Sequence, residues 1–216
     1  MNPIKMKLWQ KIGTVLVFVS VLGGYILFSN PSRREAAEAL SQGEHYTEAV
    51  EVYDQAIQED PDNPELYNNR GNAYFNVGRY EEALNDFNWA ISLDPDLATA
   101  YFNRGYAHYK LLQPEKAIAD YNTALELDPK NIEALGNRGV ARMELKDFKG
   151  ALGDFDSLVS VAPKIPFAYQ NRALAKWQLG DREGAKQDFQ QAIHLFESSG
   201  HQKLAQQIRD AYKSLK

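Results

Sequence analysis

Proline recurs in this chain at a fixed step: Pro61, Pro95, Pro129 and Pro163 are each 34 residues apart. In the same register run Ala49, Ala83, Ala117, Ala151 and Ala185, the aromatics Tyr53, Phe87, Tyr121, Phe155 and Phe189, and the glycines Gly71, Gly105 and Gly139. A single site does not generate such spacing. A stack of like units does, each too small to bury its apolar face alone and burying it against the next. Within each step the apolar residues fall at helical intervals on either side of a short break, as in 64–77, then Gly78-Arg79, then 80–93. Asp94-Pro95, Asp128-Pro129 and Ala162-Pro163 end the second helix of a unit, because proline lacks the N–H and disfavours helical geometry in the residue before it.

The pattern resembles the tetratricopeptide repeat family. The resemblance implies an all-α fold of antiparallel helix hairpins stacked as a right-handed superhelical solenoid, with units at 30–63, 64–97, 98–131, 132–165 and 166–199. The terminal units depart furthest. Ala37 and Ala173 stand where the others have Gly71, Gly105 and Gly139, and Glu197 stands where a turn proline would fall. Beyond them, Leu204, Ile208, Ala211 and Leu215 form an apolar stripe at helical spacing, expected to be a capping helix over 200–216.

A second departure concerns charge. Arg70, Arg104, Arg138 and Arg172 recur in the first helices where the family more often has Leu, while Asp86, Asp120, Asp154 and Asp188 recur in the second helices. In the first unit the same slots hold Ala36 and Val52, so both lose their charge together. The joint switch predicts contact: an Arg–Asp clamp joining the two helices of each unit, repeated too regularly to be a catalytic pair.

In the family the first helices line a concave face where partners bind as extended peptides or helices. Mapped here, that face carries Asn68, Asn72 and Phe75 from the second unit, Phe102, Asn103, Tyr106 and Tyr109 from the third, Met143 from the fourth, and Phe167 and Trp177 from the fifth. Phe75, Tyr109, Met143 and Trp177 share one slot of the 34-residue step, forming a stripe that either binds or packs between helices. Phe102, Tyr106 and Phe167 are expected to form an exposed binding patch, with rings as apolar anchors and amides for a ligand backbone. The lysine pair and arginine with which some family members hold acidic chaperone tails are missing: those slots hold Asn68, Asn72, Asn103, Glu133 and Asn137.

Chemistry of other kinds finds little support. There is no cysteine, which excludes thiol catalysis, disulfides and thiolate metal sites. His45, His108, His194 and His201 share no repeat slot and read as surface residues, so neither a metal nor a cofactor is expected. No HExxH, GxxxxGK[ST], GxSxG or GxGxxG motif occurs, and an enzyme is not expected. From Glu35 onward 19 basic residues face 29 acidic ones, a balance of −10 that opposes nucleic-acid binding.

Ahead of the repeats lies a run of 17 residues without charge, opening at Ile12 and closing at Phe28, with Lys5, Lys7 and Lys11 before it. A helix of that length covers about 25 Å of a hydrocarbon core of roughly 30 Å, Leu8 and Trp9 extend it, and Lys11 can snorkel. The run is expected to be a single transmembrane anchor within a leader at 1–29. The competing readings are a cleaved signal peptide, disfavoured because Leu27-Phe28-Ser29-Asn30-Pro31 is no cleavage site, and a buried core helix. The lysines favour a cytoplasmic N-terminus and an extracytoplasmic repeat domain, in periplasm or lumen. The sequence thus predicts a membrane-anchored, non-catalytic scaffold that binds a protein or peptide and assists assembly of a membrane complex. The alternatives are a chaperone-like role or self-association through the open ends of the stack.

Overall fold

The computed structural model describes residues 45–215. The run 12–28 and residues 30–44 of the first expected unit lie outside the described residues, and no helix among the described residues is long and apolar enough to cross a membrane. Those residues form ten α-helices and no strand: α1 (His45–Glu59), α2 (Pro64–Asn76), α3 (Tyr80–Leu93), α4 (Ala98–Lys110), α5 (Pro114–Leu127), α6 (Ile132–Glu144), α7 (Phe148–Val161), α8 (Pro166–Gln178), α9 (Arg182–Ser198) and α10 (Gln202–Leu215). The chain separates into two compact bodies between Ala141 and Arg142, inside α6.

Local chemistry sets the helix limits. The Asn63 side chain accepts from Glu65 N at 3.1 Å with Pro64 in the first turn. Asp147 and Asp181 accept from Gly150 N and Gly184 N, each at 2.9 Å, satisfying donors that have no intrahelical partner. Between the helices of each hairpin one residue takes a left-handed conformation: Gly78 (φ 80°), Leu112 (φ 59°), Lys146 (φ 63°) and Gly180 (φ 89°), again 34 apart. The residue after it closes the helix end, as Arg79 N bonds Tyr74 O and Gln113 N bonds His108 O. Only two of the four are glycine, so Leu112 and Lys146 hold a geometry that costs a side-chain-bearing residue roughly 1–2 kcal/mol.

In the N-terminal body consecutive helices from α1 to α5 pack on one another, and α2 also touches α4. Its core is Ala83, Phe87, Ala90, Ala107, Ala117, Tyr121 and Ala124, none with any exposed surface. Burying a ring such as Phe87 stabilises by about 1.5–3 kcal/mol. The repeat glycines have a steric purpose. A Cβ at Gly71 would stand 2.7 Å from Phe87 Cε1, and one at Gly105 would stand 2.9 Å from Tyr121 Cε1. In the C-terminal body α8 packs on α7 and α9, and α9 on α10. Phe155, Phe189 and Phe196 fill that core, with Ala205 and Ile208 of α10 buried beneath them.

Three of the expected clamps are present and bidentate. Arg70 holds Asp86 at 2.8 and 2.7 Å, Arg104 holds Asp120 at 2.9 and 2.6 Å, and Arg172 holds Asp188 at 2.8 and 2.6 Å. The remaining nitrogen of each guanidinium reaches back to the previous repeat. Nη1 of Arg70, Arg104, Arg138 and Arg172 bonds Asp54, Asn88, Asn122 and Asp156 at 2.7, 2.8, 2.8 and 3.0 Å. The arginine is therefore a staple between repeats as well as a clamp within one. Asp188 draws a second cation from one helical turn later, Lys176 Nζ at 2.8 Å, and Asp154 is met by Arg142 Nη1 at 2.8 Å.

A candidate partner-binding face

Helices α2 and α4 of the N-terminal body carry seven of the expected residues, Asn68, Asn72, Phe75, Phe102, Asn103, Tyr106 and Tyr109, and the neighbouring Lys110. Asn103 Nδ2 donates to Asn68 Oδ1 at 2.9 Å, tying the two first helices together across successive repeats. Asn68 is 4% exposed, so it orients Asn103 and offers no surface of its own. The same two helices carry three rings in mutual contact: Phe75 lies 5.0 Å from Tyr106, and Phe102 stacks on Tyr106 at 6.3 Å. Lys110 stands 5.1 Å over the Tyr106 ring, giving the apolar strip a positive edge. Asn72, Asn103, Tyr106 and Tyr109 are all half-buried on these helices.

Two expectations are corrected here. Phe102 is not part of a free patch, since it is half-buried and its ring lies 5.9 Å from the fully buried Tyr121. Burial pushes the Tyr121 hydroxyl well above the ordinary phenol range, and that hydroxyl has no hydrogen-bond partner. Phe102 is thus a ring shared between the core and the face, and its removal would loosen both. His108, read from sequence as a surface residue, is half-buried: Nε2 lies 4.0 Å from Asp120 and Nδ1 3.1 Å from Gln113 Oε1. Burial holds its imidazole below the usual value, with Asp120 acting in the opposite direction. Among the described residues no group of His, Cys, Asp or Glu side chains could hold a metal ion.

The C-terminal body holds the remaining expected residues, with a different outcome. Met143 is 3% exposed and belongs to the core, which removes it from any binding stripe. Phe167 packs edge-on at 4.9 Å against the buried Phe196, so it too is shared with the core and is not an exposed anchor. Trp177 lies under Arg182, whose guanidinium is 3.6 Å from the ring centroid and whose Nη1 donates to Trp177 O. Next to these stand two side chains the sequence reading did not select. Gln170 and Asn171 of α8 are 3% and 2% exposed, and their carbonyl oxygens have no hydrogen-bond partner. The signal for Asn171 was available, because Asn69, Asn103, Asn137 and Asn171 follow the 34-residue step.

Comparison with known proteins agrees with this architecture. Family models described as TPR repeat match residues 37–78 and 71–111, and models described as tetratricopeptide repeat match 98–131 and 168–198. Among solved structures, one of MamA is 21% identical with a TM-score of 0.69, covering 81% of this chain and 99% of that one. A second, MamA from Desulfovibrio magneticus RS-1, is 19% identical with a TM-score of 0.67, covering 76% and 93%. YrrB, described as a TPR protein with an unusual peptide-binding site, is 24% identical with a TM-score of 0.64, covering 79% and 88%. No curated protein matches the sequence.

Proposed function

From the premise that this chain belongs to the tetratricopeptide repeat family, we propose that it is a protein-interaction scaffold whose α2–α4 face holds a segment of a partner protein. The observation that carries the reading is the Asn103–Asn68 hydrogen bond on the two helices that also bring Phe75, Phe102 and Tyr106 into contact. A carboxamide has four hydrogen-bonding positions, and this bond uses one of Asn103's while fixing the direction of the rest. A fixed amide beside partly exposed rings suits an extended backbone with apolar side chains. Lys110 is the positive group at its edge, so an apolar or mildly acidic segment fits better than a long acidic tail. That YrrB is described as having a peptide-binding site gives the proposal a precedent in a similar fold.

Membrane attachment belongs to the same proposal. The charge-free run from Ile12 to Phe28, preceded by Lys5, Lys7 and Lys11, would tether the scaffold and keep its partner near the bilayer, with the repeats on the extracytoplasmic side and a role in assembling a membrane complex. Alkaline carbonate washing of membranes tests the tether: full-length protein in the wash contradicts it. The face is tested by capture from membranes with the wild-type chain and with Tyr106→Ala. A partner retained by both at equal yield places binding elsewhere.

A further inference from the structure

Trp89 on α3 is 59% exposed. Its slot in the other repeats holds Gln55, Thr123, Ser157 and Gln191, all polar, so repeat packing does not call for an indole there. One side of the ring stacks on Tyr67 of α2, centroids 6.3 Å apart. Tyr67 is fixed in turn by its hydroxyl, which donates to Pro61 O at 3.0 Å, and by Arg70 lying 5.7 Å over its ring. The exposed indole therefore rests on a base that is itself tied down, which is the form of an interface anchor. Its ring contact is with α2, whereas the amides and rings of the proposed face join α2 to α4.

Charge states what fits it. Between residues 45 and 97 there are two basic residues and twelve acidic ones, a balance of −10, whereas 98–215 carries sixteen basic and fourteen acidic residues, a balance of +2. Both arginines of the acidic stretch are engaged, Arg70 with Asp54 and Asp86, and Arg79 with Glu82. The turn touching Tyr67 exposes Glu59, Asp60 and Asp62, so the anchor sits beside uncompensated carboxylates. The chain itself shows how such a ring is satisfied: Arg182 covers Trp177 at 3.6 Å. We propose that the Trp89–Tyr67 flank is a second docking surface, and that its occupant is a basic segment of a partner protein that lays an arginine over the indole. Anionic lipid is repelled by the same charge, and the near-neutral 98–215 stretch of a second copy lacks the complementary excess.

The test uses the full chain in detergent micelles and a synthetic amphipathic arginine–leucine peptide, with its arginine-to-glutamate counterpart as control. Binding is read from the fluorescence anisotropy of the peptide, labelled with fluorescein at its N-terminus, so the signal does not depend on the residue that is changed. The expected result is a rise in anisotropy with the wild-type chain, a Kd weakened about tenfold or more in Trp89→Gln, and falling affinity as salt rises. Trp89→Phe, which keeps an aromatic on Tyr67, should retain most of the affinity, and Asn103→Ala should leave it unchanged. Equal binding by Trp89→Gln, equal binding of the glutamate peptide, or a loss with Asn103→Ala as large as with Trp89→Gln overturns the proposal. So does binding that appears only once Lys5, Lys7, Lys11, Arg33 and Arg34 are changed to glutamine, which would make this chain's own leader the occupant.

Discussion

Arg104 meets Asp120 edge to edge, Nε on Oδ2 at 2.9 Å and Nη2 on Oδ1 at 2.6 Å, while its third nitrogen holds Asn88 of the preceding repeat. The carboxylate is nearly buried, at 8% side-chain exposure, and the guanidinium largely so, at 22%. Removing one partner of such a pair costs far more than removing both, because the survivor is left charged in a poor solvent. Arg104→Leu should therefore destabilise the fold by about 3 kcal/mol, and Arg104→Leu with Asp120→Leu should recover much of the loss. Denaturant unfolding of the four-member cycle checks this; additive losses would show that the side chains contribute independently.

Gly105 is expected to be intolerant of a single methyl. Its Cβ would meet Tyr121 Cε1 at 2.9 Å, Cδ1 at 3.0 Å and Ala117 O at 3.1 Å, and neither a fully buried ring nor a helix backbone yields easily. Alanine gains about 1 kcal/mol of helix propensity over glycine, yet overpacking costs about 1–3 kcal/mol, so the net effect of Gly105→Ala should be a loss. A melting temperature at or above wild type would show that α4 and α5 have room to separate.

The His108 imidazole is held below its ordinary value near 6.5, first by burial, with Asp120 and Gln113 opposing and Lys116 and Arg104 adding to the depression. The folded chain therefore prefers the neutral ring more than the unfolded chain does. That preference contributes in full above the ordinary value and is lost as pH falls through the lower folded value. Thermal unfolding should thus show stability declining below about pH 6.5, and His108→Gln should flatten that decline. Parallel pH profiles for the two chains would remove His108 as the cause.

Much of the fold was legible because its determinants recur. The 34-residue step of Pro95, Phe87 and Gly71 reports packing that every repeat must solve in the same way, so the helix pairs could be placed from spacing alone. The Arg–Asp contacts were legible from the joint change at Ala36 and Val52. The back-reach of the same arginines gave no charge signal although Asp54, Asn88, Asn122 and Asp156 keep the step, because two of the four are Asn and the shared role is hydrogen-bond acceptance, not charge. The face was less legible. Position within a helix says that a ring points toward a groove, but not how far a neighbour covers it. Met143 is covered completely, Trp177 by Arg182, and Phe167 leans on Phe196. Exposure at Trp89 was invisible for the opposite reason, since an isolated departure from a repeat carries no periodic signal.

The central claim, that the α2–α4 face holds a partner segment, is tested most directly by photocrosslinking from Asn72. A benzophenone side chain placed there in the full-length chain should form an adduct with another polypeptide, and Tyr106→Ala or Asn103→Ala in the same chain should remove most of that adduct while the helical signal stays intact. An adduct that persists undiminished in both variants, or that joins only two copies of this chain, would contradict the account.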